Sequence, residues 1–140
     1  MKRWTAIAFL LLLGVGAYSQ DSLSLALKRI STTGIFAFGG TGFAGRISKG
    51  ETDFRVIMSQ PSGVALDALE RLYATGNPQA KSYALAGIRK LDNKRFQELR
   101  LSLLSSDEKV VTMHGCEISE QLLREVANDL NFGQYDHWLK

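Results

Sequence analysis

The sequence predicts an α+β fold, with a small N-terminal antiparallel β-meander followed by a bundle of about four helices. Three observations carry this expectation. Residues 35–60 hold short apolar runs punctuated by glycines, and within them Phe54, Val56 and Met58 alternate as on one face of a strand. From Val64 onward, apolar residues recur at three- and four-residue spacing, the period of a helix with one buried face. A single short extended run, Lys109 to Met113, interrupts the helical part before its last helix.

The first segment sets the compartment. Lys2 and Arg3 form a basic start, Trp4 to Leu13 is almost entirely apolar, and Ala17-Tyr18-Ser19 places small residues at the −3 and −1 positions of a cleavage site after Ser19. This pattern is that of a signal peptide. Its apolar core is shorter than the roughly 20 residues that a spanning helix needs, and no cysteine follows it for a lipid anchor. The expected mature chain runs from Gln20 to Lys140, 121 residues and one compact domain, secreted or periplasmic and without a stable membrane span. Within it, residues 35–60 are the β-rich part and residues 62–133 the mainly helical part. Loss of Lys2 and Arg3 leaves fifteen basic residues against fourteen acids, a balance of +1.

Asp21 to Ile30 fits a strand through alternating Leu23, Leu25 and Leu27, and a helix through Leu23, Ala26, Leu27 and Ile30 on one face. The helix is preferred, because Lys28 and Arg29 fall in its last turn and Thr32-Thr33-Gly34 supplies a stop. Next, Ile35-Phe36-Ala37-Phe38 leads into Gly39-Gly40-Thr41-Gly42-Phe43-Ala44-Gly45. Gly40, Gly42 and Gly45 satisfy G-x-G-x-x-G, whose glycines let a backbone turn approach a pyrophosphate. The stretch resembles the first loop of the nucleotide-sugar epimerases and extended short-chain dehydrogenases, and Gly50 to Met58 is similar to their second strand; this resemblance implies a dinucleotide. The spacing opposes it. A parallel crossover takes roughly a dozen residues or more, yet only six separate Gly45 from the strand-like run at Thr52. These residues read instead as a strand from Phe43 to Ser48, a turn at Lys49-Gly50-Glu51, and a strand from Asp53 to Ser59. The glycines then serve backbone geometry at bends or bulges, and no cofactor is expected.

Pro61-Ser62-Gly63 marks the boundary to the helical part. Ser62 is a candidate N-cap for a helix from Val64 to Thr75 that buries Ala65, Leu66, Leu69, Leu72 and Tyr73. Gly76 ends it, and Asn77-Pro78 opens the next with a capping residue and a proline at the first helical position. That helix runs to Leu91, and Asp92 caps a third in which Phe96, Leu99, Leu103 and Leu104 face inward. Ser119 starts the last helix, with Leu122, Leu123, Val126, Ala127 and Leu130 as its buried stripe and Gly133 as its stop. Val64 to Leu104, above all Tyr83-Ala84-Leu85-Ala86-Gly87-Ile88 before a capped helix, resembles a helical-hairpin unit of the HEAT type, which implies a protein-binding surface. The longer arrangement of a Gly/Phe-rich start, Ser-Lys-Gly-Glu, Tyr-Ala-Leu-Ala-Gly and His-Gly-Cys is similar to small exported bacterial proteins of unknown role.

Two further features invite chemistry. His114 and Cys116 lie two apart, so on a strand they would share a face, and a histidine beside a cysteine lowers the thiol pKa toward a nucleophilic thiolate. A thiol-dependent enzyme or redox protein is therefore the alternative reading, although His-x-Cys supplies neither an orienting third group nor oxyanion donors, and a lone cysteine is commonly a small buried hydrophobe. The available ligands His114, Cys116, Glu117, Asp136 and His137 match no metal spacing, so no metal is expected. The single cysteine leaves a disulfide-linked dimer through Cys116 open. In the tail, Tyr135 and Trp138 either cover the end of the core or face a ligand.

Charge is unevenly placed. Arg71, Lys81, Arg89, Lys90, Lys94, Arg95 and Arg100 face only Asp92 and Glu98 within their section, whereas seven acids follow Ser105. Either the two sections attract one another or the basic one docks an anionic partner, for which Lys81, Arg89, Lys90, Lys94, Arg95 and Arg100 are the candidate residues. An exported chain is a poor candidate for a nucleic-acid partner. The leading reading is thus a non-catalytic binding module whose partner is an exported or envelope protein.

Overall fold

The computed structural model describes residues 20–140, and the signal-peptide reading of residues 1–19 lies outside the described residues. Helix α1 covers residues 20–30. It buries Ala26 and Ile30 and half-buries Leu23 and Leu27, the helical rather than the strand pattern of this stretch.

The expected N-terminal β-meander does not form, and the α+β assignment gives way to a mainly helical architecture carrying two small two-stranded sheets. Only Gly40–Thr41 (β1) and Arg46–Ile47 (β2) pair in this region, antiparallel, with Gly40 opposite Ile47 and Thr41 opposite Arg46. The predicted turn at Lys49-Gly50-Glu51 and the predicted strand from Asp53 are one helix, α2, Lys49–Met58. Its cause is local. Ser48 is the N-cap, its Oγ accepting the Glu51 N–H at 3.0 Å, which satisfies one of the four donors that a helix start leaves unpaired. Once helical, Gly50, Phe54 and Ile57 fall on one buried stripe, and the alternation of Phe54, Val56 and Met58 loses its meaning.

Helix α3 (Ser62–Thr75) follows Pro61, which sits at its N-cap position without a side-chain cap, and it buries Ala65, Ala68, Leu69 and Leu72. Helix α4 (Pro78–Leu91) starts on Asn77, whose Oδ1 accepts the Ala80 N–H at 2.9 Å. Helix α5 (Asn93–Ser102) starts on Asp92, whose Oδ1 accepts the Arg95 N–H at 3.0 Å. The α4 helix is central: Ser82 through Ile88 are all buried, so no face of this stretch reaches water. Small side chains at Ala80, Ala84 and Ala86 allow that enclosure, because helix axes approach most closely where side chains are short. On α5, Phe96 and Leu99 point inward, and Leu103 just after it is buried, but Leu104 is exposed rather than buried as expected.

Lys109–His114 (β3) and Glu117–Leu122 (β4) form an antiparallel hairpin, with His114 opposite Glu117. The last helix, α6, is Leu123–Asn131, four residues later than expected, since Ser119 to Leu122 belong to β4. The ladder with β3 takes those residues: Thr112 is buried and its Oγ1 meets Ser119 Oγ at 2.8 Å. Residues 35–38 lie along the other edge of β3. Phe36 donates to Val111 O at 2.8 Å and accepts from the Met113 N–H at 3.1 Å, a parallel bridge. Tyr135 and Leu139 are buried, so the tail does close one end of the core. Among the described residues, no helix is long and apolar enough to cross a membrane.

Candidate functional site

The glycine stretch is held from beneath by two buried polar side chains. Tyr83, on α4, donates to Ala37 O at 2.7 Å, accepts the Ala37 N–H at 3.0 Å, and lies 3.1 Å from Ser48 Oγ. Burial pushes its phenol pKa up. Its ring packs edge-on to Phe36 and Phe38 at centroid distances of 4.9 and 5.3 Å, with Phe54 tilted at 5.8 Å. The second anchor is Glu51, fully buried on α2, which accepts the Gly39 N–H at 2.7 Å and the Arg55 Nε at 3.0 Å. A buried carboxylate is tolerated because a backbone donor and a cation satisfy it.

On this base stands a hydrogen-bonded tip. Gly42 to Gly45 close a turn through the Gly45 N–H to Gly42 O bond of 3.1 Å, and Gly42 and Gly45 take φ of +69° and +59°. These two positions require glycine, because an L side chain in that region clashes with its own backbone. The second hairpin turns at Gly115 and Cys116, with φ of +58° at Gly115 and none positive at Cys116, the pattern of a type II′ loop. One bond joins the two tips: the Gly42 N–H donates to Gly115 O at 2.8 Å. Phe43, one residue from that bond, is fully exposed. Each hairpin exposes an isoleucine as well, Ile47 on β2 and Ile118 on β4. Thr41 Oγ1 donates to Arg46 O at 2.8 Å and braces the first hairpin, and Arg46 itself is exposed and forms no ion pair among the described residues.

The glycines therefore build a displayed turn. The G-x-G-x-x-G match closes a hairpin, and the helix that follows begins beyond it at Lys49.

His114 and Cys116 are both exposed, but they do not share a strand face, because Cys116 sits in the hairpin loop. His114 Nε2 lies 3.5 Å from Tyr135 OH, and among the described residues no hydrogen bond joins it to Cys116. Among those residues there is also no group of three or more His, Cys, Asp or Glu side chains placed to hold a metal.

Five of the six basic candidates are engaged within the chain. Lys81 Nζ pairs with Glu108 Oε2 at 2.7 Å, and Arg95 pairs with Glu70 at 2.7 Å and Glu98 at 3.2 Å. Arg89 forms an ion pair with Asp136, whose carboxyl it holds below the ordinary range, and Lys90 donates to the Leu139 carbonyl, both at the tail. Arg100 donates to Gln97 at 3.0 Å and to Asn128 of α6 at 3.1 Å. Lys94 is exposed and forms no ion pair among the described residues. Two of the acids that follow Ser105, Glu108 and Asp136, thus meet the basic section from inside the same molecule.

No family model matches the chain, and neither the curated proteins nor the solved structures contain a match to it. Sequence reasoning treated Phe43 as a strand residue and so missed it as a surface feature. The available signal was the helix start Ser48-x-x-Glu51, which confines any hairpin to the residues before it and leaves Phe43 at a turn.

Proposed function

We propose that this is a small exported protein that acts as a non-catalytic binding module, and that the joined hairpin tips present Phe43 to a partner protein of the exported or envelope fraction. One observation carries the reading: a fully exposed phenylalanine on a turn whose backbone is fixed by hydrogen bonds on both sides. Full burial of such a ring contributes roughly 1.5–3 kcal/mol, and a turn ordered beforehand loses little entropy on binding. The partner it fits has an apolar pocket with an acidic group beside it, facing Arg46. The tip supports this better than the basic helical section, because five of the six cations there are engaged within the chain. The HEAT-type resemblance of Val64 to Leu104 agrees with protein binding in kind.

The test is capture from the exported fraction by immobilised protein, compared with Phe43→Ser and Lys94→Gln. The Phe43→Ser variant is expected to unfold at the same urea concentration and to bind the captured partner about tenfold or more weakly, as loss of roughly 1.4 kcal/mol or more requires. Undiminished capture by Phe43→Ser, or loss only in Lys94→Gln, would refute the reading.

A further inference from the structure

We propose that the cleft between α2, the end of α4 and the C-terminal tail binds a small organic anion with a single-ring apolar body. The cleft has a volume of about 280 Å³. Phe54, Met58 and Trp138 supply its apolar lining and Arg55, Lys90 and Lys140 its cations, and no Asp or Glu side chain lines it. Apolar walls with a few charged side chains of one sign suit a small-ligand site, and the volume lies just below the roughly 300–1,000 Å³ range such sites span. That size admits one ring and excludes a dinucleotide.

Two of the cations are held in place before any ligand arrives. Glu51 takes Nε and Nη2 of Arg55, at 3.0 and 2.5 Å, and leaves Nη1 for another acceptor. Lys90 Nζ spends one donor on the Leu139 carbonyl and has two left. Fixed donors lower the ordering cost of binding. The Trp138 indole is only half-buried, and its edge lies against the Gly39 backbone, where a Cβ would come 2.4 Å from Nε1. A tryptophan held by its edge with part of its surface open offers a face on which a ring can stack. This cleft is separate from the Phe43 tip, so its test is independent of the binding reading above.

The experiment follows the Trp138 indole N–H resonance of the isotopically labelled protein, assigned by its loss in Trp138→Phe, during titration with benzoate. Benzyl alcohol, which keeps the ring without the charge, and acetate, which keeps the charge without the ring, are titrated in parallel. The expected result is a saturable shift with benzoate in the low-millimolar range, with both other probes weaker by about tenfold or more. Lys140→Gln, a surface change, should weaken benzoate by about threefold or more while leaving the free indole resonance in place, and Lys90→Gln, which also gives up the bond to the Leu139 carbonyl, should weaken benzoate by at least as much. A benzoate titration without saturation overturns the proposal. Equal binding of benzyl alcohol, or an unchanged benzoate affinity in both lysine variants, overturns it as well.

Discussion

Gly50 and Gly63 are the second residues of α2 and α3, and neither has a positive φ, so alanine is allowed by the backbone at both. Local propensity gives Gly→Ala the same sign at each, stabilising by roughly 0.4–1 kcal/mol. The tertiary surroundings divide them. At Gly63 an added Cβ meets nothing within 4 Å, whereas at Gly50 it would lie 2.7, 2.8 and 2.9 Å from Cε2, OH and Cζ of Tyr83. That ring cannot retreat cheaply. It is fully buried among Phe36, Phe38 and Phe54, and its hydroxyl is tied to Ala37 and Ser48. Overpacking a core costs roughly 1–3 kcal/mol, and displacing the hydroxyl forfeits about 0.5–1.5 kcal/mol for each hydrogen bond lost. The clash therefore outweighs the propensity gain, and Gly50→Ala should destabilise by about 1–3 kcal/mol net. Gly63→Ala should stabilise by about 0.4–1 kcal/mol. Urea unfolding reads both: with a slope of roughly 1–3 kcal/mol per molar, the midpoint for Gly50→Ala falls by about 1 M and that for Gly63→Ala rises by a few tenths. A Gly50→Ala protein as stable as the parent, or midpoints that move together, would refute the claim that α2 sits against Tyr83.

Tyr83→Phe keeps the ring and removes the hydroxyl, leaving the buried Ala37 N–H without its acceptor. The expected loss is about 1–3 kcal/mol in the same assay; a change under about 0.5 kcal/mol would show that another group satisfies that donor. Alkaline pH gives an independent check. Burial, with the Asp129 charge second, raises the Tyr135 phenol to about 12, and burial raises Tyr83 and Tyr73 as well. A phenol that holds its proton longer when folded contributes stability in full below its unfolded value near 10 and loses it as pH rises toward the folded one. Stability should accordingly fall between pH 10 and 12, by about 2–3 kcal/mol from Tyr135 alone. Phenolate absorbance rising for every tyrosine near pH 10 with the fold intact would contradict this. Cys116→Ser, an exposed loop change, should leave urea stability within about 0.5 kcal/mol of the parent.

Several elements were legible from residue order because their causes are local. Asn77-Pro78 and Asp92 cap α4 and α5 in the positions their chemistry requires, and the α3 and α6 stripes hold most of the expected core residues. The buried Tyr135 shows which of the two tail readings applies to it, since only docking on Phe36 and Phe38 decides between core cover and ligand platform. Leu122 shows the limit of periodicity: it continues the apolar stripe of α6 but belongs to β4, because a ladder with β3 competes for the same backbone groups.

The α2 region divides the two kinds of information most clearly. Ser48-Lys49-Gly50-Glu51 carried a helix-start signal in four residues, while the alternation of Phe54, Val56 and Met58 spoke for a strand. Residue order alone held both. Packing chose the helix, because it alone brings Gly50, Phe54 and Ile57 to one face beneath Tyr83 and places the Glu51 carboxylate on the Gly39 N–H. By itself the sequence determined the helix starts at Asn77 and Asp92 and the use of glycine for backbone geometry in the Gly42 to Gly45 turn, though not the place of that turn. Only the tertiary structure decided that this turn meets the one at Gly115 and leaves Phe43 in water, since that outcome depends on contacts between residues more than seventy positions apart.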